Sequence, residues 1–191
     1  MHNLNKTKLG LIFLGVLIFN THAAAYYSSG PYLNLGAGGI LLTTSGTSAG
    51  GGAGRLGLGY LGVLTDEENP FLLGFELNGD FGYTGRTSSL YGADFAAILA
   101  RQFTEQAAIF GKLGMNAIGQ NSIYFAGPQI GLGIGYQMIP SLRLIGEGNY
   151  ALDPIRIGNA RSLGSTTVNV FNLLIGLQYT FYITNYVDND P

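Results

Sequence analysis

The chain has 191 residues, no cysteine and a formal net charge of −2, which excludes disulfide frameworks and thiol chemistry and argues against a nucleic-acid partner. Charged residues make up 10% of the chain, against about 25% in soluble domains, and 31 residues are glycine. A chain so poor in charge needs either a large core or contact with lipid to accommodate its apolar surface.

The first segment, 1–25, is expected to be a signal peptide that is cleaved during export. Lys6 and Lys8 form a basic start, residues 9–19 form a short apolar core, and Ala23–Ala25 offer small residues for cleavage. The alternative is a retained membrane anchor, but the apolar run is shorter than the roughly 20 residues of a spanning helix. The remainder after Ala25 contains no histidine and is expected to form one domain.

Alternation of apolar and polar positions runs through the rest of the chain in segments of about ten residues, a pattern typical of outer-membrane β-barrels. It predicts an all-β fold, an eight-stranded antiparallel up-and-down transmembrane β-barrel over residues 26–181. The predicted strands lie near 31–41, 53–64, 71–83, 89–103, 107–117, 128–138, 142–152 and 165–181. Short turns are predicted at 65–70, 104–106 and 139–141, and the other connections at 42–52, 84–88, 118–127 and 153–164. Bacterial barrels place such short turns on the periplasmic side.

The two faces of each predicted strand differ, because one carries large apolar side chains and the other carries glycine and polar groups. The aromatic residues of the apolar face concentrate near the two rims, as expected for girdles at the two membrane interfaces. A soluble core would not sort aromatic residues by height. The predicted lower girdle contains Tyr60, Phe71, Phe103 and Tyr136, with Tyr179 and Phe181 nearby, and the upper girdle contains Phe81, Tyr83, Tyr91, Tyr150 and Phe171.

Hairpin symmetry about the short turns predicts the register between neighbouring strands. It places Arg55 opposite Asp80, Ile98 opposite Lys112, and Gly133 opposite Glu147. It also places Met138 opposite Leu142. In each pair, positions of the same face meet, so a one-residue slip in the strand assignment would break the agreement.

The polar face carries an interior charge network that is nearly balanced in sign. Buried charges must be paired or hydrated, and an eight-stranded interior is only about wide enough to be filled by side chains. Two interpretations follow, a closed hydrogen-bonded plug, which is favoured, or a gate on a narrow ion path. The members of the network are Arg55, Glu76, Asp80, Asp94, Lys112, Arg143 and Glu147.

Catalytic and cofactor motifs are weak. Gly52–Gly57 fits G-x-G-x-x-G, but a strand follows it where a dinucleotide site requires a helix. Glu76 and Asp80 share a face as paired catalytic carboxylates do, yet Arg55 beside them favours a structural ion pair. With no histidine after residue 22, the usual general base is missing. The sequence therefore predicts no enzyme, no cofactor and no metal site.

Glu76, Lys112 and Glu147, on the third, fifth and seventh strands, resemble the internal salt-bridge cluster of small outer-membrane barrels of the OmpA/OmpX type. That family also has an arginine on its last strand, which this chain lacks, so Arg55 or Arg143 would substitute. Gly176, Tyr179 and Phe181 are similar to the family's assembly signal, although Leu174 stands where a polar residue is expected. The resemblance implies insertion by the barrel-assembly machinery. The segment 182–191 is expected to be a tail, too short for a peptidoglycan-binding domain.

Three functions remain open from the sequence. The first is a structural barrel in outer-membrane lipid, which contacts periplasmic partners through residues 66–68 or the tail. The second is a surface protein that binds host or environmental ligands through its loops, where Ile123, Tyr124 and Phe125 form an apolar tip. Tyr124 is interpreted more simply as an extension of the upper girdle. The third is a narrow pore for ions or small solutes.

Overall fold

The architecture is a closed β-barrel, seen in a computed structural model that describes residues 29–44, 47–65, 69–85, 88–120, 123–151, 155–157 and 168–181. No helix in these ranges is long and apolar enough to cross a membrane. The strands are β1 (Gly30–Thr44), β2 (Thr47–Val63), β3 (Phe71–Thr84), β4 (Ser88–Gln102), β5 (Ala107–Gln120), β6 (Ile123–Ile139), β7 (Leu142–Ala151), β8 (Ile155–Ile157) and β9 (Val168–Thr180).

Eight strands, β1–β7 and β9, form the barrel wall. Each pairs antiparallel with its neighbour in the chain, β7 pairs with β9, and β9 pairs with β1 to close the sheet. The predicted eight-stranded up-and-down fold is therefore confirmed. Three of the four predicted register pairs are also confirmed, since Arg55 faces Asp80, Ile98 faces Lys112 and Gly133 faces Glu147.

Several predicted details are wrong at the ends of strands. The segments 42–52 and 118–127, expected to be loops, mostly continue as strand, because β1 pairs with β2 and β5 with β6 almost to their tips. A short strand, β8, pairs with β6 inside the expected loop 153–164. Met138 does not face Leu142, since the register shifts between Gln137 and Ile139 and pairs Ile139 with Leu142.

The two faces of the wall separate as the alternation predicts. Outward side chains are large and apolar, and Leu113, Leu132 and Ile175 remain 66–75% exposed. Inward side chains are mainly buried polar groups, glycines and two apolar clusters. In water such a wall would be unfavourable, whereas in hydrocarbon it satisfies the requirement that a spanning sheet has no open edge and an apolar exterior.

Some predictions fall on residues outside the described ranges. They include the signal peptide over 1–25, the acidic turn residues 66–68, the tail 182–191 and much of the connection 153–164.

Candidate functional site

Lys112 on β5 joins two carboxylates from different strands in the middle of the barrel interior. Its Nζ atom lies 2.6 Å from Glu76 Oε1 on β3 and 2.5 Å from Glu147 Oε2 on β7. All three side chains are buried. The alternation places these residues inside, and their equal distance from the short-turn rim brings them to one level.

The guanidinium group of Arg55 on β2 contacts three carboxylates. Two of its nitrogens donate to Asp80 at 2.7 and 3.0 Å, Nη2 also lies 2.7 Å from Asp94 Oδ2, and Nη1 donates to Glu147 Oε1 at 2.5 Å. Because Glu147 also contacts Lys112, the ion pairs form one connected chain across five strands. Such a network is closely packed and directional, as charge-assisted hydrogen bonds are.

Polar neutral side chains complete this middle layer, and the predicted charge network did not include them. Tyr32 Oη and Asn34 Nδ2 donate to Glu76 Oε2 at 2.9 and 2.8 Å. Asn78 Nδ2 donates to Glu76 and Asp94, and Asn149 Nδ2 donates to Glu147. The inward parity of these residues was the available signal. The charges therefore lie inside a wider hydrogen-bonded network.

Arg143 is buried near the short-turn rim. Its guanidinium donates to Gln137 Oε1 at 3.1 and 3.3 Å, and it lines a small cavity together with Lys112 and Glu76. Of the two arginines expected to substitute for a last-strand arginine, Arg55 is the one that ion pairs with Glu147.

Two apolar layers enclose the charged layer from below and above, and the sequence interpretation missed both. They combine inward residues of several strands that are far apart in the chain, so only the closed barrel brings them together. The lower layer, toward the short turns, contains Tyr32, Leu61, Leu72, Ile98, Ala100, Ala108, Phe110 and Ile145. The upper layer, toward the opposite rim, contains Ile40, Leu42, Leu90, Ile118, Ala151, Val168 and Val170, with Ala53 and Phe125 packed against it.

Internal space beside the charged layer is small. One cavity, between Lys112, Phe110 and Gln178, has a volume of about 10 Å³, and another, beside Asn34 and Arg55, has about 20 Å³. Each is about the size needed for a single water molecule. Both cavities are lined by side chains of the charged layer and of the residues packed next to it.

The predicted girdle residues point outward on the wall. Tyr60, Phe103, Phe81, Tyr83, Tyr91 and Phe171 are 42–60% exposed. The remaining three, Phe71, Tyr136 and Tyr150, are half-buried. Tyr91 Oη donates a 3.3 Å hydrogen bond to Tyr124 Oη, so Tyr124 lies beside the upper girdle.

The residues expected to form the assembly signal lie on β9 and just beyond it. Tyr179 and Phe181 point outward, with ring centroids 5.1 Å apart in an edge-to-face arrangement. Gly176 faces inward, where a Cβ atom would come within 2.9 Å of the Gly36 Cα atom on β1. Leu174 is buried, and its Cα atom faces Gly38 of β1.

The main interactions in this interior are ion pairs between buried side chains. No group of three or more histidine, cysteine or acidic side chains in the described ranges is arranged to hold a metal ion. Each cation of the ion-pair chain is already held by at least two carboxylates. These ion pairs connect side chains of β2, β3, β4, β5 and β7 across the barrel interior.

Comparison with known proteins places this architecture among solved barrels. No protein-family model matches the chain, and no curated protein matches it in sequence. In structure, it is similar to Neisserial surface protein A, with a TM-score of 0.57 and 19% identity over 80% of this chain and 98% of that one. It is also similar to Ail, the attachment invasion locus protein of Yersinia pestis, with a TM-score of 0.52 and 12% identity over 80% and 100% of the two chains. The chain therefore has the fold of the small eight-stranded transmembrane β-barrels of the bacterial outer membrane.

Proposed function

We propose that this protein is an exported, non-conducting barrel that acts as a structural scaffold in the outer membrane. The observation that carries the proposal is the layered interior, in which connected ion pairs lie between two apolar layers. An ion that entered from either rim would have to give up water in an apolar layer before it reached the ion-pair chain. Desolvation of an ion costs several kcal/mol or more, so both layers oppose conduction.

Conductance in planar lipid bilayers tests the closed interior. We expect no discrete current steps from the wild type, and none from Lys112→Ala, because both apolar layers remain in that variant. A general porin inserted under the same conditions serves as the positive control. Reproducible single-channel steps in the wild type that change in Lys112→Ala would show that the charged layer lies on an ion path, and would favour the narrow pore.

Export and insertion are part of the same proposal. The basic and apolar start of the chain supports a cleaved signal peptide, and the outward pair Tyr179 and Phe181 supports recognition of the last strand by the barrel-assembly machinery. We also infer that the barrel is not an enzyme, because the usual general base, histidine, does not occur after residue 22.

A role in surface contact is the second candidate, and the long hairpins favour it. Among the described residues, positions 47–49 of β2 pair only with β1 and extend past the end of β3. Likewise, the start of β6 extends past β7 and pairs with β5 and β8. Strands of 17 residues exceed the about 9–11 that span a membrane, so these tips project as stiff hairpins. The solved relative named for attachment and invasion is consistent with this candidate.

Adhesion of cells that carry a shortened β5–β6 hairpin tests surface contact. If the hairpin binds a host or environmental ligand, removal of residues 119–126 should lower adhesion severalfold while the barrel still reaches the membrane. A matched variant that shortens the β1–β2 hairpin identifies which tip is responsible. Unchanged adhesion in both variants, with normal amounts of folded barrel, would rule out this candidate.

A further inference from the structure

Arg101 on β4 is the one charged side chain that points outward from the described parts of strands β1–β7 and β9. It lies next to Phe103 and close to the short-turn rim. Charge on a lipid-facing wall is unfavourable, least so near the interface, where a long side chain can reach polar groups. A single charge on an otherwise apolar wall therefore marks a position where lipid chemistry differs from plain hydrocarbon.

The guanidinium group of Arg101 is held in place by the wall. Its Cζ atom lies 4.8 Å from the centre of the Phe71 ring, and the two residues face each other across β3 and β4. This cation–π contact fixes the plane of the group without using its N–H donors. Within the described part of the chain, no acidic side chain forms an ion pair with Arg101. Its donors are therefore available to an external acceptor.

An apolar groove of about 780 Å³ begins beside Arg101 and crosses the wall from β4 to β9. Glycines at outward positions leave it open, because Gly111, Gly146 and Gly148 have no side chain to fill it. Four strand spacings of about 4.8 Å give it a length of about 19 Å, comparable to an extended acyl chain. Its walls are formed by Leu99, Ile109, Leu132, Ile134, Leu173 and Ile175.

We propose that a phospholipid binds here, with its phosphate at Arg101 and one acyl chain in the groove. Arginine suits a phosphate because its planar fork of donors matches two phosphate oxygens. A second copy of the chain fits less well, since the outward face of the described strands carries no acidic side chain to meet Arg101. The inference rests on the proposed membrane location and adds a specific lipid to it.

Native mass spectrometry of the refolded chain in neutral detergent micelles measures this binding. The probe is dimyristoylphosphatidylglycerol, and glycerol 3-phosphate supplies the headgroup chemistry without acyl chains. We expect one lipid to stay on the wild type. Arg101→Gln removes the charge, and Gly111→Leu fills the groove, where a Cβ atom would meet Leu132 at an ordinary 3.9 Å. Each should lower retention about tenfold or more, because each removes one half of the site.

Two control variants separate this site from general effects of charge and packing. Gly79→Leu adds the same side chain at an outward glycine of β3, where the nearest atom is Leu56 O at 3.8 Å, outside the groove, and should retain the lipid. Leu33→Arg in the Arg101→Gln background moves the cation to β1 near the same rim and should not restore retention.

Four results would each contradict the lipid site. Arg101→Gln could retain the lipid as well as the wild type does, or Leu33→Arg could fully restore retention in the Arg101→Gln background. Gly79→Leu could lose as much lipid as Gly111→Leu, or glycerol 3-phosphate could bind as well as the phospholipid. Unheated gel mobility of every variant reports folding separately. A folded barrel that retains no lipid contradicts this inference and leaves the scaffold role intact. A chain whose mobility does not change on heating contradicts the membrane barrel itself.

Discussion

Replacement of Arg55 by methionine is expected to lower the free energy of unfolding by about 3–5 kcal/mol. The guanidinium contacts Asp80, Asp94 and Glu147, and the Arg55 side chain is only 3% exposed. Methionine fills similar space but leaves these carboxylates close together without their shared cation. The measurement is urea unfolding of the refolded barrel in lipid vesicles, followed by the loss of the unheated gel mobility.

Two controls show whether the loss comes from the buried charge. Arg55→Lys keeps the charge but not the planar fork, so it should lose less stability than Arg55→Met. Arg101→Met removes an exposed arginine with no acidic partner among the described residues, and should change stability by less than about 1 kcal/mol. Equal unfolding midpoints for Arg55→Met and the wild type would show that the ion-pair chain contributes nothing to the fold.

Gly38→Ala is expected to lower the free energy of unfolding by about 3 kcal/mol or to prevent closure of the barrel, because it overpacks a backbone contact. A Cβ atom built on Gly38 would overlap the carbonyl oxygen of Leu173 on β9. β1 and β9 are the first and last strands, and their pairing closes the sheet. Backbone cannot turn aside as a flexible side chain can, so the two strands would have to separate. Refolding yield and urea unfolding measure the effect.

The neighbouring glycine gives a matched control on the same strand. The atom nearest to a Cβ atom on Gly39 would be the carbonyl oxygen of Gly51, 3.7 Å away, which is an ordinary van der Waals contact. Gly39→Ala should therefore change stability by less than about 1 kcal/mol, as expected of an outward substitution that buries no polar group. Equal losses in the two variants would mean that the close approach of β1 to β9 is not what requires glycine at position 38.

Much of the fold could be predicted from the sequence because the alternation of side chains along a strand depends only on neighbouring residues. Period-two alternation assigns each residue to a face, and tight turns between neighbouring strands fix their register. The pair Arg55 and Asp80 follows from those two rules alone. The level shared by Glu76, Lys112 and Glu147 follows from counting along three strands that start at the same rim.

What the sequence did not reveal depends on closure and on local irregularity. The contact of Arg55 with Glu147 joins residues 92 positions apart on strands that are not neighbours, so it requires the curvature of the closed barrel. The apolar layers are invisible for the same reason. The register shift beside Met138 breaks hairpin symmetry near Pro140. Tyr32 was missed because an inward tyrosine looks apolar until Glu76 is placed next to it.

The layered interior also affects the register in which neighbouring strands pair. A slip of one residue would turn apolar side chains inward and is rejected by the lipid. A slip of two residues keeps every side chain on its own face, so the apolar surface in contact with lipid does not oppose it. If β5 slipped by two residues toward the short-turn rim, however, Lys112 would take the position of Phe110 in the lower apolar layer. Glu76 and Glu147 would then lose their shared cation. The order of apolar and charged layers along the barrel axis therefore determines the register of neighbouring strands, and with it the stagger of the barrel.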